Sequence, residues 1–196
     1  CLTGVSKSGF AGVVGTVAVP MMAPFVGGEI AIGLMLPILI LMDGLTVWGY
    51  RRQLCWSLIR PLIPGVLAGI AVGTVLLGST NQHSIQLLIG CMGFWVLIQR
   101  FVPAVQNCIT RKAAAISAPT HGVLAGVGST LAHAGAAPLQ AYYLLQTLEH
   151  RQFLAQVSAT VGIMNLVKCI PYGFLGVLGI TLSWQAAILV PVAWFG

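Results

Sequence analysis

Acidic residues are almost missing from this chain. Glu29, Asp43 and Glu149 are the three it has among 196 residues. Charge of either sign is scarce, at 6% of residues, against about 25% in a soluble domain. So little charge cannot cover a water-facing surface, and an ordinary soluble globule is excluded. Paired cysteines are missing too. Cys1, Cys55, Cys91, Cys108 and Cys169 form no Cys-x-x-Cys pair and keep no metal-ligand spacing with the four histidines. They read as small apolar thiols, and no metal or cofactor is expected. No basic stretch followed by a short apolar run marks a signal peptide.

What the chain has in abundance is apolar length. Hydrophobic residues make up 58% of it, with a mean hydropathy of +0.96. Nine Lys and Arg give a net charge of +6, but they sit between apolar runs, so membrane topology explains them and nucleic acid is not an expected partner. A spanning helix needs about 20 apolar residues. Seven such segments are predicted, over residues 9–26, 30–50, 59–77, 85–101, 116–148, 153–178 and from 182 onward. The expected fold is an all-α integral membrane protein embedded in the lipid bilayer. With no initiator Met and an apolar run up to Phe195, both ends are expected to be cut and an eighth segment to follow.

Basic loops set the expected orientation. Arg51, Arg52 and Arg60 lie between segments two and three, and Arg100, Arg111 and Lys112 between four and five. The intervening loop, Ser79 to His83, has neither Lys nor Arg. The positive-inside rule therefore puts loops 51–60 and 100–112 in the cytoplasm.

Two glycine-rich stretches interrupt this pattern. One contains Lys7, Gly9, Gly12 and Gly15 and ends at Pro20; the other contains Ser129, Thr130, His133 and Gly135 and ends at Pro138. Segment five, 116–148, is too long for one upright helix, so two shorter helices joined by an unwound stretch around His133 are predicted, with a weaker break at Pro20. Irregular backbone at membrane depth is tolerated only in protein or beside a wet cavity. Paired broken segments in two halves point to a transporter's binding site. Sliding residues 4–20 onto 122–138 matches Gly4 with Gly122, Val5 with Val123, Ala18 with Ala136 and Pro20 with Pro138. Met42-Asp43 and Met164-Asn165 follow at similar places. Two weak parallel repeats are expected, 1–112 and 113–196.

Each polar residue has a functional and a structural reading. Glycines let backbone amides approach an anion, with Lys7 adding charge; alternatively the glycines pack helices and Lys7 reaches the interface. His133 would bond an anion or take up a proton, or else sit neutral against an unwound carbonyl. Ser129 and Thr130 would bind substrate or bond their own helix. Asp43 would couple transport to protons or a cation, or pair with a buried base. Asn165 and Lys168 share a face one turn apart, with Pro171 next, and Lys168 is expected to snorkel to the cytoplasmic interface. Gly65, Gly69 and Gly73 read as a helix-packing stripe.

With these residues in place, the chain resembles the sulfite exporter TauE/SafE family of bacterial membrane transporters. The stretches that carry the likeness are Gly4-Val5-Ser6-Lys7-Ser8-Gly9-Phe10, Leu41-Met42-Asp43, Tyr50-Arg51-Arg52, Ser129 to Gly135, Asn165-Leu166-Val167-Lys168 and Pro171-Tyr172. Ala11, Val13 and Val14, and Ala136-Ala137, stand where that family is richer in glycine or proline. The resemblance implies a multi-pass carrier in the bacterial inner membrane. It also implies a small anionic substrate, sulfite, sulfoacetate or a related organic anion. Such a protein is not an enzyme. The alternatives are a non-transporting membrane scaffold and an intramembrane hydrolase using Ser129 and His133. A homo-oligomer is compatible with the sequence.

Overall fold

The computed structural model describes residues 15–79 and 117–177, with Asn81, His83, Leu87 and Phe94 between them. Segments four and seven, and the stretch with Lys7, Gly9 and Gly12, lie outside the described residues. The described residues are helical, without strands. In chain order they form α1 (Gly15–Val26), α2 (Gly28–Tyr50), α3 (Trp56–Ile59), α4 (Ile63–Ser79), α5 (Ala118–Ala132), α6 (Ala136–Leu144) and α7 (His150–Phe174). Short 3₁₀ turns at Arg51–Gln53 and Arg60–Leu62 flank α3.

Three of these stretches are long and apolar enough to cross a membrane: Ile30–Gln53, Trp56–Ser79 and His150–Phe174. At about 1.5 Å per residue, the 25 residues of α7 reach beyond a hydrocarbon core about 30 Å thick. The outward side chains suit that solvent. Phe25 and Phe174 are 88% and 89% exposed, and Met21, Trp48 and Val75 also point outward. In water such a surface would associate.

The expected break at Pro20 does not occur. Helix α1 runs through Pro20 to Val26, and the chain turns at Gly27 instead. Gly27 has φ 91° and ψ 149°, a conformation essentially reserved for glycine. Its amide still bonds the carbonyl of Ala23, and its carbonyl receives the amide of Ala31, so the turn leaves α1 and α2 linked. Pro20 and Pro24 each remove one backbone donor within α1, which a membrane helix can tolerate when neighbours cover the freed carbonyls.

The glycine stripe of α4 packs as expected. Gly65 and Gly69 lie against α5 so closely that the backbones touch, and Gly73 lies against the side chain of Thr130. A Cβ added at Gly126 would sit 2.6 Å from the carbonyl oxygen of Val66, and one at Gly73 would sit 2.8 Å from Cβ of Thr130. Small residues on both helices permit this approach where lipid supplies no hydrophobic drive. The contact joins the two stretches proposed as repeats.

Helix α7 runs antiparallel to α2. Asn165 meets Asp43, and nine residues earlier Gln156 donates to the carbonyl of Gln53 at 3.2 Å. Two apolar clusters fill the space between helices. One gathers Val19, Ile32, Leu36, Leu131 and Tyr172; the other gathers Val66, Ala125, Leu139, Tyr143 and Met164. Gln156, Ser158, Thr160, Asn165 and Lys168 of α7 are buried.

Candidate functional site

The predicted interruption of segment five is present, and its geometry is set by His133. Helix α5 ends at Ala132, and His133 turns left-handed with φ 51° and ψ 26°. For a residue with a Cβ that conformation costs about 1–2 kcal/mol. The turn redirects the backbone. Ala134 donates its amide to Gly128, at 3.0 Å, while His133 donates its own to Ser129, at 3.1 Å. The carbonyl of Thr130 thus loses the donor that a continuing helix would supply. Pro138 is not the breaking residue: it is the third residue of α6, in a first turn where a missing amide is tolerated.

Helix α7 supplies what the break removes. Tyr172 donates its hydroxyl to the Thr130 carbonyl at 2.6 Å. One turn earlier, Lys168 donates to the Ser129 carbonyl at 2.9 Å and to Ser129 Oγ at 2.8 Å. Its Nζ also lies 2.9 Å from Nδ1 of His133. The i, i+4 spacing on α7 matches two successive carbonyls on α5. A cation here also suits the negative end of the α5 dipole.

These contacts define the state of His133. Nε2 lies 2.9 Å from the carbonyl oxygen of Ile32 on α2, which can only accept. Nε2 therefore carries the proton. An ammonium only donates, so Nδ1 offers its lone pair to Lys168. His133 is the neutral Nε2–H tautomer, and it ties the break to two other helices at once. Tyr172 stands edge-on to its ring, with centroids 6.4 Å apart.

Lys168 was expected to snorkel and does not. It is 0% exposed, among the largest fully buried side chains of the described residues. The reason is the break itself, which presents oxygen and nitrogen acceptors inside the protein where a continuous helix would present none.

The remaining predicted residues divide between the two readings. Thr130 Oγ1 donates to its own helix at Gly126, at 2.9 Å, as the structural reading has it. Gly135 is a packing requirement: a Cβ there would fall 2.6 Å from the Ala125 carbonyl oxygen and 2.8 Å from Cβ of Ser129. Gly15 opens α1. Asp43 is 2% exposed, and its Oδ2 accepts a bond from Nδ2 of Asn165 at 2.6 Å. Gly162 leaves the room Asp43 needs, since a Cβ there would lie 3.2 Å from that of Asp43.

Tyr172, which in sequence figured only in the family likeness, and the Ile32 carbonyl, which did not figure at all, belong to the site. The spacing of Lys168 and Tyr172 was visible, but the carbonyls they cap were not. Tyr143, bonded to Thr160 at 2.7 Å, is a second buried polar pair that the sequence reading passed over.

A membrane-length bundle with an interrupted segment, its ends held by buried polar side chains, defines a multi-pass helical membrane protein of the transporter kind. The chain matches the family model described as sulfite exporter TauE/SafE over residues 1–196 and belongs to that family of membrane transporters. Comparison with curated proteins and with solved structures found no match.

Proposed function

We propose that the chain is a secondary transporter that exports small sulfur-containing or organic anions, of the sulfite and sulfoacetate kind, across the bacterial inner membrane. The observation that supports this most strongly is the buried ammonium of Lys168 at the broken helix. An intramembrane charge is costly and marks a functional site by default. Its acceptors include a carbonyl, a hydroxyl and an imidazole. An oxyanion entering the break would take over protons now given to Ser129 Oγ and His133 Nδ1, in a stronger charge-assisted bond. The positive end of the α6 dipole opens at Ala136, directly after the break.

Alternating access would follow from relative motion of the broken segment and α2, which His133 links through Ile32. In this reading Lys7, Gly9, Gly12 and Gly15 complete the site from the first glycine cluster. The basic loops 51–60 and 100–112 face the cytoplasm.

The test is flux in proteoliposomes, with radiolabelled sulfite and sulfoacetate as candidate cargo and sulfate and acetate as comparisons. Wild-type protein should move at least one of the first two, and Lys168→Met should abolish that movement. A wild-type protein that moves none of the four anions sinks the reading. Wild-type rates in both Lys168→Met and His133→Leu would remove the break from the mechanism.

A further inference from the structure

Asp43 and Asn165 meet away from the Lys168 cluster, one turn along α7. Asn165 is 1% exposed, and only half of its amide is used. Nδ2 donates to Asp43, while Oδ1 is buried without a hydrogen-bond partner among the described residues. Buried acceptors are rarely left so, and each one calls for an explanation. The contact itself is short. At 2.6 Å the amide nitrogen and the carboxylate oxygen are in direct charge-assisted contact.

An amide is a neutral side chain that can serve both states of a carboxyl group. To the carboxylate it donates through Nδ2. From the carboxylic acid it accepts through Oδ1. The unpaired Oδ1 is the acceptor that the protonated state requires. A proton arriving from water would bind one oxygen of Asp43, giving a neutral acid whose O–H donates to Oδ1 of Asn165. Release reverses the step and restores the N–H···O contact. Gly162 keeps the space in which the carboxyl can turn.

The surroundings suit a proton better than a metal ion. A hard cation takes about six to eight oxygen ligands. Among the described residues, no group of three His, Cys, Asp or Glu converges on one point. Of the elements packed on α2, α1 carries no titratable side chain. Helix α7 carries Lys168, Cys169 and Tyr172 beyond Asn165, and His150 and Arg151 about four turns before it. The turn after α2 carries Arg51 and Arg52, and the break brings His133 to Ile32.

We infer that Asp43 and Asn165 form a proton-binding site that couples anion passage to proton movement. The inference rests on the transport reading above for its consequence, but not for the proton site itself. Two measurements separate them. Infrared titration of the reconstituted protein, without any anion, should show the carbonyl stretch of a protonated carboxyl that disappears in Asp43→Asn and shifts in Asn165→Leu. Sulfoacetate, which carries a fixed charge near neutral pH, should be driven by an imposed pH gradient in wild type. In Asp43→Asn that drive should be lost, while sulfoacetate exchange persists within about threefold, because exchange needs no net proton movement. Should Asp43→Asn fail to assemble, Asn165→Leu decides: the pH midpoint of flux should move by about one unit or more, a tenfold change in proton affinity. An unchanged infrared band or midpoint overturns the proposal, as does a sodium gradient replacing the pH gradient. No flux of sulfoacetate or sulfite, with the titrating band intact, would overturn the transport reading and leave the proton site standing.

Discussion

Lys168 places its ammonium 2.9 Å from Nδ1 of His133, and that contact, together with the Ile32 carbonyl at Nε2, keeps the ring proton on Nε2 at the break. A lysine there is both a cap for α5 and the charge of the proposed anion site. The two roles separate on substitution. Lys168→Met leaves the buried His133 Nδ1 without this donor, at about 1–3 kcal/mol, and takes one of two donors from the Ser129 carbonyl, which keeps the His133 amide. Thermal unfolding of the detergent-solubilised protein should fall by several degrees. Lys168→Arg keeps the charge and should restore part of the thermal stability but little of the flux, because a planar fork does not fit three acceptors set for an ammonium.

The hydroxyl of Tyr172 can be tested on its own. Tyr172→Phe removes the donor to the Thr130 carbonyl and nothing else of size. A loss of about 1–3 kcal/mol is expected. It should be local first. Hydrogen exchange at the amides of residues 133–135 should accelerate while the amides of α4 hold their protection. Uniform acceleration would mean that the break depends on the whole bundle, not on this cap.

The break and its neighbours show what a single sequence can and cannot convey. Segment five announced its interruption because 116–148 is too long for one span and carries glycine and proline. Which residue turns the chain was not visible. Pro138 was the obvious breaker, yet a proline in a first turn is harmless, and His133 in a left-handed conformation does the work. Pro20 misled in the same way, since Gly27 makes that turn. The glycines of α4 were readable because their four-residue spacing fixes one helix face. Lys168 was misread because position along a helix predicts snorkelling only when the interior has nothing to offer it. The acceptors at Ser129 and His133 lie 39 and 35 residues away in the chain, and no local pattern encodes them.

Glycines of equal standing in sequence should respond oppositely. Gly126→Ala would press a methyl group to 2.6 Å from the Val66 carbonyl oxygen, against backbone that cannot step aside. Overpacking of this sort costs about 1–3 kcal/mol. Gly44→Ala meets nothing within 4 Å and lies inside α2, where alanine is favoured by about 0.5–1 kcal/mol. Unfolding temperatures should move down for the first and slightly up for the second. Equal shifts would contradict the packing of α4 on α5.

Gly27 and His133 both turn the chain where a helix would continue, but they differ in what replaces them. Gly27→Ala should cost about 1–3 kcal/mol from backbone strain alone, since an alanine has no favourable state near φ 91° and ψ 149°. At His133 the strain is already present, so His133→Gly would relieve about 1–2 kcal/mol of it. The same change removes the bond to Ile32 and orphans a proton of Lys168, both buried. Each lost partner costs about 1–3 kcal/mol, so the net effect should be destabilising despite the easier backbone. His133→Asn tolerates the left-handed turn better than most residues and keeps a short polar group. It should fall between glycine and wild type in unfolding temperature. An order with glycine at or above wild type would mean that His133 is held there for transport, with no part in stability.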